Sequence, residues 1–477
     1  MNATDWIARS LALLKPATKA PAKAPPATQH APRPMAERLR ATLRRDPEAL
    51  TPSALRRLLA QLQAVVDPHV SEVEAGRRAQ QVMAWYAGAQ AGERRELWQL
   101  MVEQFAPDAD EVRTAREHYD AVLGTPEQAA AEIRLRSAFV SPRTRMLQRF
   151  AIDPQGLRFL VDLRAELLPQ LKAERQLQPL DAELAALFST WFDLPFLELR
   201  RISWDSPASL IEKLIKYEAV HDIRSWADVK NRLDSDRRCY GFFHPRLPNE
   251  PLIFVEVALI DHLAGGIAPL LDEEAAVHEL GKATTAIFYS ISNTQTGLRG
   301  VSFGDSLIKR VVETLREEFP KLKQFATLSP IPGFRAWLAK NAQAMLARMP
   351  DKARAELGRA LGAKAPEAEH VMAATERVLT LQDKSPARQF LLRCAAEYLG
   401  RELDQGRPLD PVARFHLGNG ARVERINWAG DPSPKGLKQS CGLMVNYLYD
   451  LRRLDKHRAM TVAGSIPLSS EVERLLL

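Results

Sequence analysis

The stretch SISNTQTGLRGVSFGDSLIKRVVETLREEFPKLKQFATLSPIPGFRAWL, Ser290 to Leu338, decides how the second half of the chain is read. A run of β-forming residues leads into a glycine-bearing loop, an amphipathic segment, a short apolar run and a proline-rich turn. The pattern predicts strand, loop, helix, strand and turn in that order. Gly297, Gly300 and Gly304 allow the backbone to come close to a ligand. Ser302 and Asp305 have capping-box spacing for the helix that follows, and Leu307, Ile308, Val311, Val312 and Leu315 would pack it on a sheet. Free amides at such a helix start favour an anion. Arg299, Lys309 and Arg310 add positive charge, so a pyrophosphate is the expected guest. No Gly-Lys-Ser/Thr closes the loop, which excludes a Walker A motif, and GxGxxG is absent.

The turn Thr327-Leu328-Ser329-Pro330-Ile331-Pro332-Gly333-Phe334 follows the short strand expected over Phe325–Leu328. Its prolines fix the backbone and remove donors, which leaves Ser329 at a rigid strand end. Such a turn is ordinarily structural. Chemically, Ser329 can donate a hydrogen bond to a carboxylate, or act as a nucleophile if a base lies within reach. In Ala413-Arg414-Phe415-His416-Leu417-Gly418-Asn419-Gly420-Ala421, His416 sits in an apolar run that ends in a turn. It is either a core histidine bonded to backbone or an acid–base group. Ser329 and His416 are 87 residues apart, so only the fold can join them. Tyr447 and Tyr449 are core residues or pocket residues. The remaining histidines lack metal-ligand spacing and His-Glu-x-x-His is absent, so no metal site is expected. Cys239, Cys394 and Cys441 lie far apart without CxxC spacing, which fits a reducing compartment.

Working outward, Cys239–His244 and Leu252–Leu259 read as two strands of a hairpin across Pro245–Pro251, and Ala283–Ser292 reads as a third strand. Ser206–Glu218 reads as a helix with Ser206 as N-cap and Pro207 at its first position. A mainly helical stretch is expected between 334 and 405. Residues 36–189 read as an all-α helical bundle, with leucines near helical spacing and prolines at helix boundaries. Residues 1–35 hold six prolines and one acid, Asp5, and read as a disordered Pro/Ala/Lys-rich arm. Residues 190–477 form the mixed part, so the fold class is α+β. The 477 residues are 46% hydrophobic and 26% charged, ordinary globular proportions that exclude a wholly disordered or fibrous chain. The net charge of +7 is spread along the chain. It suits a small anionic ligand, and no nucleic-acid or membrane partner is expected.

Several of these segments together resemble the malonyl-CoA decarboxylase family. They are Tyr217-Glu218-Ala219-Val220-His221, Gly297-Leu298-Arg299-Gly300-Val301, Leu307-Ile308-Lys309-Arg310-Val311-Val312, Leu328-Ser329-Pro330-Ile331-Pro332-Gly333-Phe334, Phe415-His416-Leu417-x-Asn419-Gly420-Ala421 and Met444-Val445-Asn446-Tyr447. The likeness runs in order over residues 190 to 450. It implies a helical oligomerisation domain followed by a GNAT (N-acetyltransferase-like) mixed α/β catalytic domain. In that fold, coenzyme A pyrophosphate rests on amides at a helix start, here Arg299, Gly300, Val301, Ser302, Gly304 and Asp305. The loop departs from the usual acetyltransferase Q/R-x-x-G-x-G/A string. The family's catalytic pair carries over to Ser329 and His416. Ser329 would orient the malonyl carboxylate and His416 would protonate the carbanion, or Ser329 would be the donor polarised by His416. Tyr447 and Tyr449 are possible pocket residues. The substrate is a coenzyme A thioester, malonyl-CoA, converted to acetyl-CoA and carbon dioxide with no other cofactor. A homodimer or homotetramer in a bacterial cytoplasm is expected. The competing functions are an acyl-CoA-dependent N-acyltransferase, which would need an amine, and a non-catalytic acyl-CoA-sensing adaptor, which would bind without turnover.

Overall fold

The computed structural model describes residues 33–301 and 307–476. The Pro/Ala/Lys-rich arm, apart from its last few residues, and Ser302, Gly304 and Asp305 with their expected helix cap lie outside the described residues.

Between Met35 and Trp191 the described chain forms nine α-helices. Their starts follow local chemistry. Thr51, Ser71 and Ser141 each accept a backbone N–H two or three residues into the helix that follows, and prolines occupy the first turn after Thr51 and Ser141. Leu55, Leu58, Leu62 and Val65 line the buried face of Pro52–Val66. The hairpin of Ala109–Ala121 and Gln128–Ala138 differs: Ala115, Ala131 and Ala138 are its buried residues, while Leu123, Ile133, Phe139 and Val140 are exposed.

From Glu198 onward the chain builds a mixed sheet of eight strands. They are β1 (Glu198–Ile202), β2 (Arg237–His244), β3 (Leu247–Ile260), β4 (Thr285–Asn293), β5 (Gln324–Thr327), β6 (Ser329–Pro330), β7 (Arg422–Asn427) and β8 (Met444–Leu448). Their order is β1-β2-β3-β4-β5-β8-β6, with β7 on the other edge of β8. The β4–β5 ladder is parallel and the others antiparallel. The expected hairpin is β2–β3, but β3 starts at Leu247, inside the stretch read as a loop. Register shifts at Phe242–Phe243 and Phe243–His244 accommodate Pro248 and Pro251, which donate nothing to a ladder. Ser206 does not cap the next helix, which is Ala208–Tyr217; its Oγ accepts from Ser203 N at 3.1 Å and closes the preceding turn.

The parallel pairing of β4 with β5 stops at Phe288 and Thr327. Beyond it β4 runs on beside β3, whereas Ser329 pairs with Val445 of β8. The sheet therefore parts between Tyr289–Asn293 on one side and Ser329–Pro330 on the other. One hydrophobic core runs from Met35 through the sheet to Leu476, so bundle and sheet are packed as one body. Helix Gly156–Leu167 makes the junction: Arg164 donates to the carbonyls of Gly297 and Arg299 at 2.7 and 3.0 Å. A Cβ at Gly297 would lie 1.9 Å from Val161 O. That glycine admits a helix backbone, where the sequence reading had assigned it to a ligand.

Candidate active site

A cavity of about 460 Å³ fills the parting of the sheet. Phe288–Ile291 and Asn293 form one wall, Ser329 and Pro330 the other, and helix Pro411–Gly418 closes it with Pro411, Val412, Arg414 and His416. Asp410 caps this helix through Val412 N and Ala413 N, and Pro411 occupies its first turn. His416 thus stands in the last turn of a helix, where the sequence suggested an apolar run into a turn.

Ser329 and His416 are brought together. Ser329 Oγ lies 3.2 Å from His416 Nε2, with 5% and 3% of the two residues exposed, and both line the cavity. Ser329 also donates to Thr327 Oγ1 at 2.8 Å, and Thr327 Oγ1 accepts from Tyr447 N at 3.2 Å. With its hydrogen committed to Thr327, Ser329 Oγ accepts from Nε2–H. On the far side of the ring, Nδ1 accepts from the Tyr449 hydroxyl at 2.7 Å. The row Tyr449–His416–Ser329–Thr327 therefore fixes one neutral tautomer, with hydrogen on the nitrogen that faces the serine. Burial pushes the His416 pKa down to about 3, because desolvation disfavours an imidazolium there. The ring is therefore neutral at physiological pH.

Tyr447 and Tyr449 stand behind the imidazole and not on the wall of this cavity. Tyr447 stacks on it with centroids 4.7 Å apart at 27° and is fully buried. Tyr449 packs against Phe288 and faces a smaller cavity of about 150 Å³. Of the expected anion-binding residues, Arg299 and Gly300 are exposed, Gly300 turns at φ +77°, and Val301 reaches the cavity. Arg310 is spent elsewhere: it donates to the carbonyls of Leu194 and Leu197. Lys309 is exposed and 3.9 Å from Glu313.

Three residues on or behind the wall were not singled out from sequence. Thr327 orients the serine. Arg414 brings a cation to the cavity, holding Pro408 O through Nε at 3.1 Å. Asn419 donates through Nδ2 to Phe415 O at 2.8 Å, while its buried Oδ1 has no partner among the described residues. The pairing of Asp410 with Pro411 was the one available signal, since Asp-Pro is an N-cap and N1 pattern that places Arg414 and His416 on a helix. Among the described residues, no group of three or more His, Cys, Asp or Glu is placed to hold a metal ion. The three cysteines are buried and free.

Residues 195–477 match the family described as malonyl-CoA decarboxylase C-terminal domain, and residues 105–192 match the malonyl-CoA decarboxylase N-terminal domain. The chain belongs to the malonyl-CoA decarboxylase family. Among curated members, the mitochondrial malonyl-CoA decarboxylase of Anser anser anser is 38% identical over 407 residues, covering 79% of this chain and 78% of that protein. That of Mus musculus is 38% identical over 390 residues, covering 77% and 79%. Among solved structures, the malonyl-CoA decarboxylase of Rhodopseudomonas palustris superposes with a TM-score of 0.76 at 41% identity, over 88% of this chain and 99% of that one. The Cupriavidus metallidurans protein gives 0.74 at 43%, over 89% and 100%. Family membership fits the α+β architecture, with the helical part first and the mixed sheet second.

Proposed function

We propose that this protein decarboxylates malonyl-CoA to acetyl-CoA in the cavity between β4 and β6, with Ser329 and His416 as its catalytic residues. The observation that carries the reading is the 3.2 Å approach of Ser329 Oγ to His416 Nε2 on the wall of a cavity that opens where the sheet parts. The C–C bond to the carboxylate breaks, carbon dioxide leaves, and the electron pair passes into the thioester as an enolate. The thioester is the electron sink, so the chemistry asks for no metal or organic cofactor. The enolate carbon then needs one proton. Ser329 holds the carboxylate by a hydrogen bond; His416 takes up a proton from solvent once substrate charge lies beside it, and the imidazolium delivers its Nε2 proton to the carbon, directly or by way of the serine hydroxyl, and is left neutral. The bound carboxylate, and then the enolate, place negative charge beside the ring and oppose the burial that keeps it neutral.

The backbone at Arg299, Gly300 and Val301 is our candidate for the coenzyme A pyrophosphate, and the spare Asn419 Oδ1 for a pantetheine amide N–H. We further propose a homodimer or homotetramer through the helical part, supported by the exposed Leu123, Ile133, Phe139 and Val140 of its hairpin, and a bacterial cytoplasmic setting. Among the described residues no helix is long and apolar enough to cross a membrane. Purified protein mixed with malonyl-CoA alone is expected to release acetyl-CoA and carbon dioxide. No product from folded protein overturns the reading, and product only when an amine is added makes it an N-acyltransferase.

A further inference from the structure

Asp410 lies outside the cavity wall, yet it is linked to both segments that build the pair. It is 1% exposed. Its Oδ1 accepts from Val412 N and Ala413 N, each at 2.9 Å, at the start of the His416 helix. Its Oδ2 accepts from the Tyr398 hydroxyl at 3.3 Å, and that hydroxyl lies directly against Gly333. Gly333 closes the turn four residues after Ser329, so Asp410 and the phenol it holds bring together three segments that are separate in the chain.

An N-cap needs one acceptor atom, and serine or asparagine supplies it without a charge. Burial pushes the Asp410 carboxyl upward, so the second oxygen is retained at a cost. That oxygen serves a group outside the helix. The glycine is part of the same arrangement. A Cβ on Gly333 would lie 2.2 Å from the Tyr398 hydroxyl oxygen, so only glycine lets the phenol close over the carboxylate. Pro330 and Pro332 restrict φ on either side of Ile331, so a displacement at Gly333 is carried back to Ser329. Pro411 does the same between Asp410 and the helix.

We propose that Asp410 is the positioning residue of this site: by capping the helix that carries His416 and holding the Tyr398 hydroxyl against Gly333, its carboxylate links that helix to the turn after Ser329 and so sets the distance between the two. The inference rests on the decarboxylase reading for its kinetic test only. Asp410→Ser keeps a hydroxyl that can cap Val412 and Ala413 but is too short to hold Tyr398 as well. Its kcat for malonyl-CoA is expected to fall about 10²-fold, the scale of an ångström's misplacement, with KM within about twofold. Tyr398→Phe removes one donor and leaves the cap, and is expected to show a smaller fall with the same split. Histidine-¹⁵N NMR supplies a readout independent of turnover: wild-type His416 is expected as a single neutral tautomer protonated on Nε2, and Asp410→Ser as an exchanging mixture.

Wild-type kcat and a wild-type His416 signal in Asp410→Ser overturn the proposal. So does a parallel loss of kcat, substrate affinity and thermal stability in both variants, which makes Asp410 a helix cap and nothing more. Should Asp410→Ser not fold, Tyr398→Phe decides: an unchanged kcat and His416 signal overturn the tie. A wild-type protein that makes no acetyl-CoA overturns the decarboxylase reading instead, and the NMR comparison still tests the tie.

Discussion

Two buried polar clusters flank the same pair of central strands, and they are built on opposite principles. On the β3 side, Arg232 is fully buried and meets Asp228 Oδ1 at 2.7 Å, Glu256 Oε2 at 2.9 Å and His221 O at 2.9 Å. Next to it Glu218 accepts the hydroxyls of Ser290 and Ser292 and the amides of Val220 and His221. On the β5 side, the Tyr449–His416–Ser329–Thr327 row contains no formal charge and opens on a cavity. In the first cluster Arg232 is answered by Asp228 and Glu256, and Glu218 by hydroxyls and amides. The second holds neutral groups whose hydrogen bonds can be re-aimed at a ligand. Burial of polar side chains alone does not mark a candidate site; here the candidate is the uncharged row whose serine and imidazole line the cavity.

That contrast is breakable, and the largest effect falls on the charged cluster. Arg232→Met leaves Asp228 and Glu256 buried without their cation and is expected to cost about 3–5 kcal/mol of stability. Chemical denaturation measures it. At a temperature where the variant remains folded, kcat is expected to stay within a few-fold of wild type; a collapse of kcat without a loss of stability would move Arg232 into the catalytic site. The converse substitution is His416→Ala. It is expected to lower kcat about 10²-fold or more, the usual worth of a general acid, with coenzyme A affinity little changed. Steady-state kinetics beside calorimetric titration of coenzyme A check it, and a near-normal rate would reassign the histidine to structure.

Much of this division was legible in the sequence, and the unread part has physical causes. The aromatic and β-branched runs of β2, β3 and β4 announce themselves because both sheet faces are covered. The start of β3 was hidden by Pro248 and Pro251, residues that a strand tolerates only where its register already breaks. Gly297 looked like a ligand-facing glycine because sequence does not say which backbone comes near; here it is that of Val161. Ser329 and His416 were named through family likeness, and their meeting depends on β6 pairing with β8 and on a helix capped by Asp410. Thr327 and Tyr449 bond to the pair over 2 and 33 residues, and nothing in local spacing signals either bond.

The neutral state of His416 also makes the contrast titratable. Its pKa is about 3 in the fold, against about 6.5 in an unfolded chain. Above pH 6.5 neither state binds a proton there. As pH falls from 6.5 towards 3 the unfolded chain takes one up and the folded chain does not, so stability falls across that window. One such group removes about 2 kcal/mol by pH 5, at 1.36 kcal/mol per pH unit. His221, driven by burial to about 4, adds to the same trend. Denaturation curves from pH 8 to pH 5 are expected to slope less in His416→Gln than in wild type; identical slopes would mean the ring is charged in the fold.

The smallest effect is the sharpest test of how the neutral row works. Tyr449 is buried, it donates to Nδ1, and Phe288 packs against its ring. Tyr449→Phe keeps the ring and removes one of the two bonds that select the Nε2–H tautomer. A neutral hydrogen bond is worth about 0.5–1.5 kcal/mol, so kcat is expected to fall up to about tenfold, with KM unchanged. The direction carries more than the size. If the tyrosine only filled space, phenylalanine would serve equally well and kcat would hold. If it sets the tautomer, the loss belongs to the proton-transfer step, so a solvent deuterium isotope effect on kcat should rise as that step becomes slower than carbon dioxide release. An unchanged rate and an unchanged isotope effect together would mean that His416 needs no partner behind it, and the row would shorten to the serine and the histidine alone.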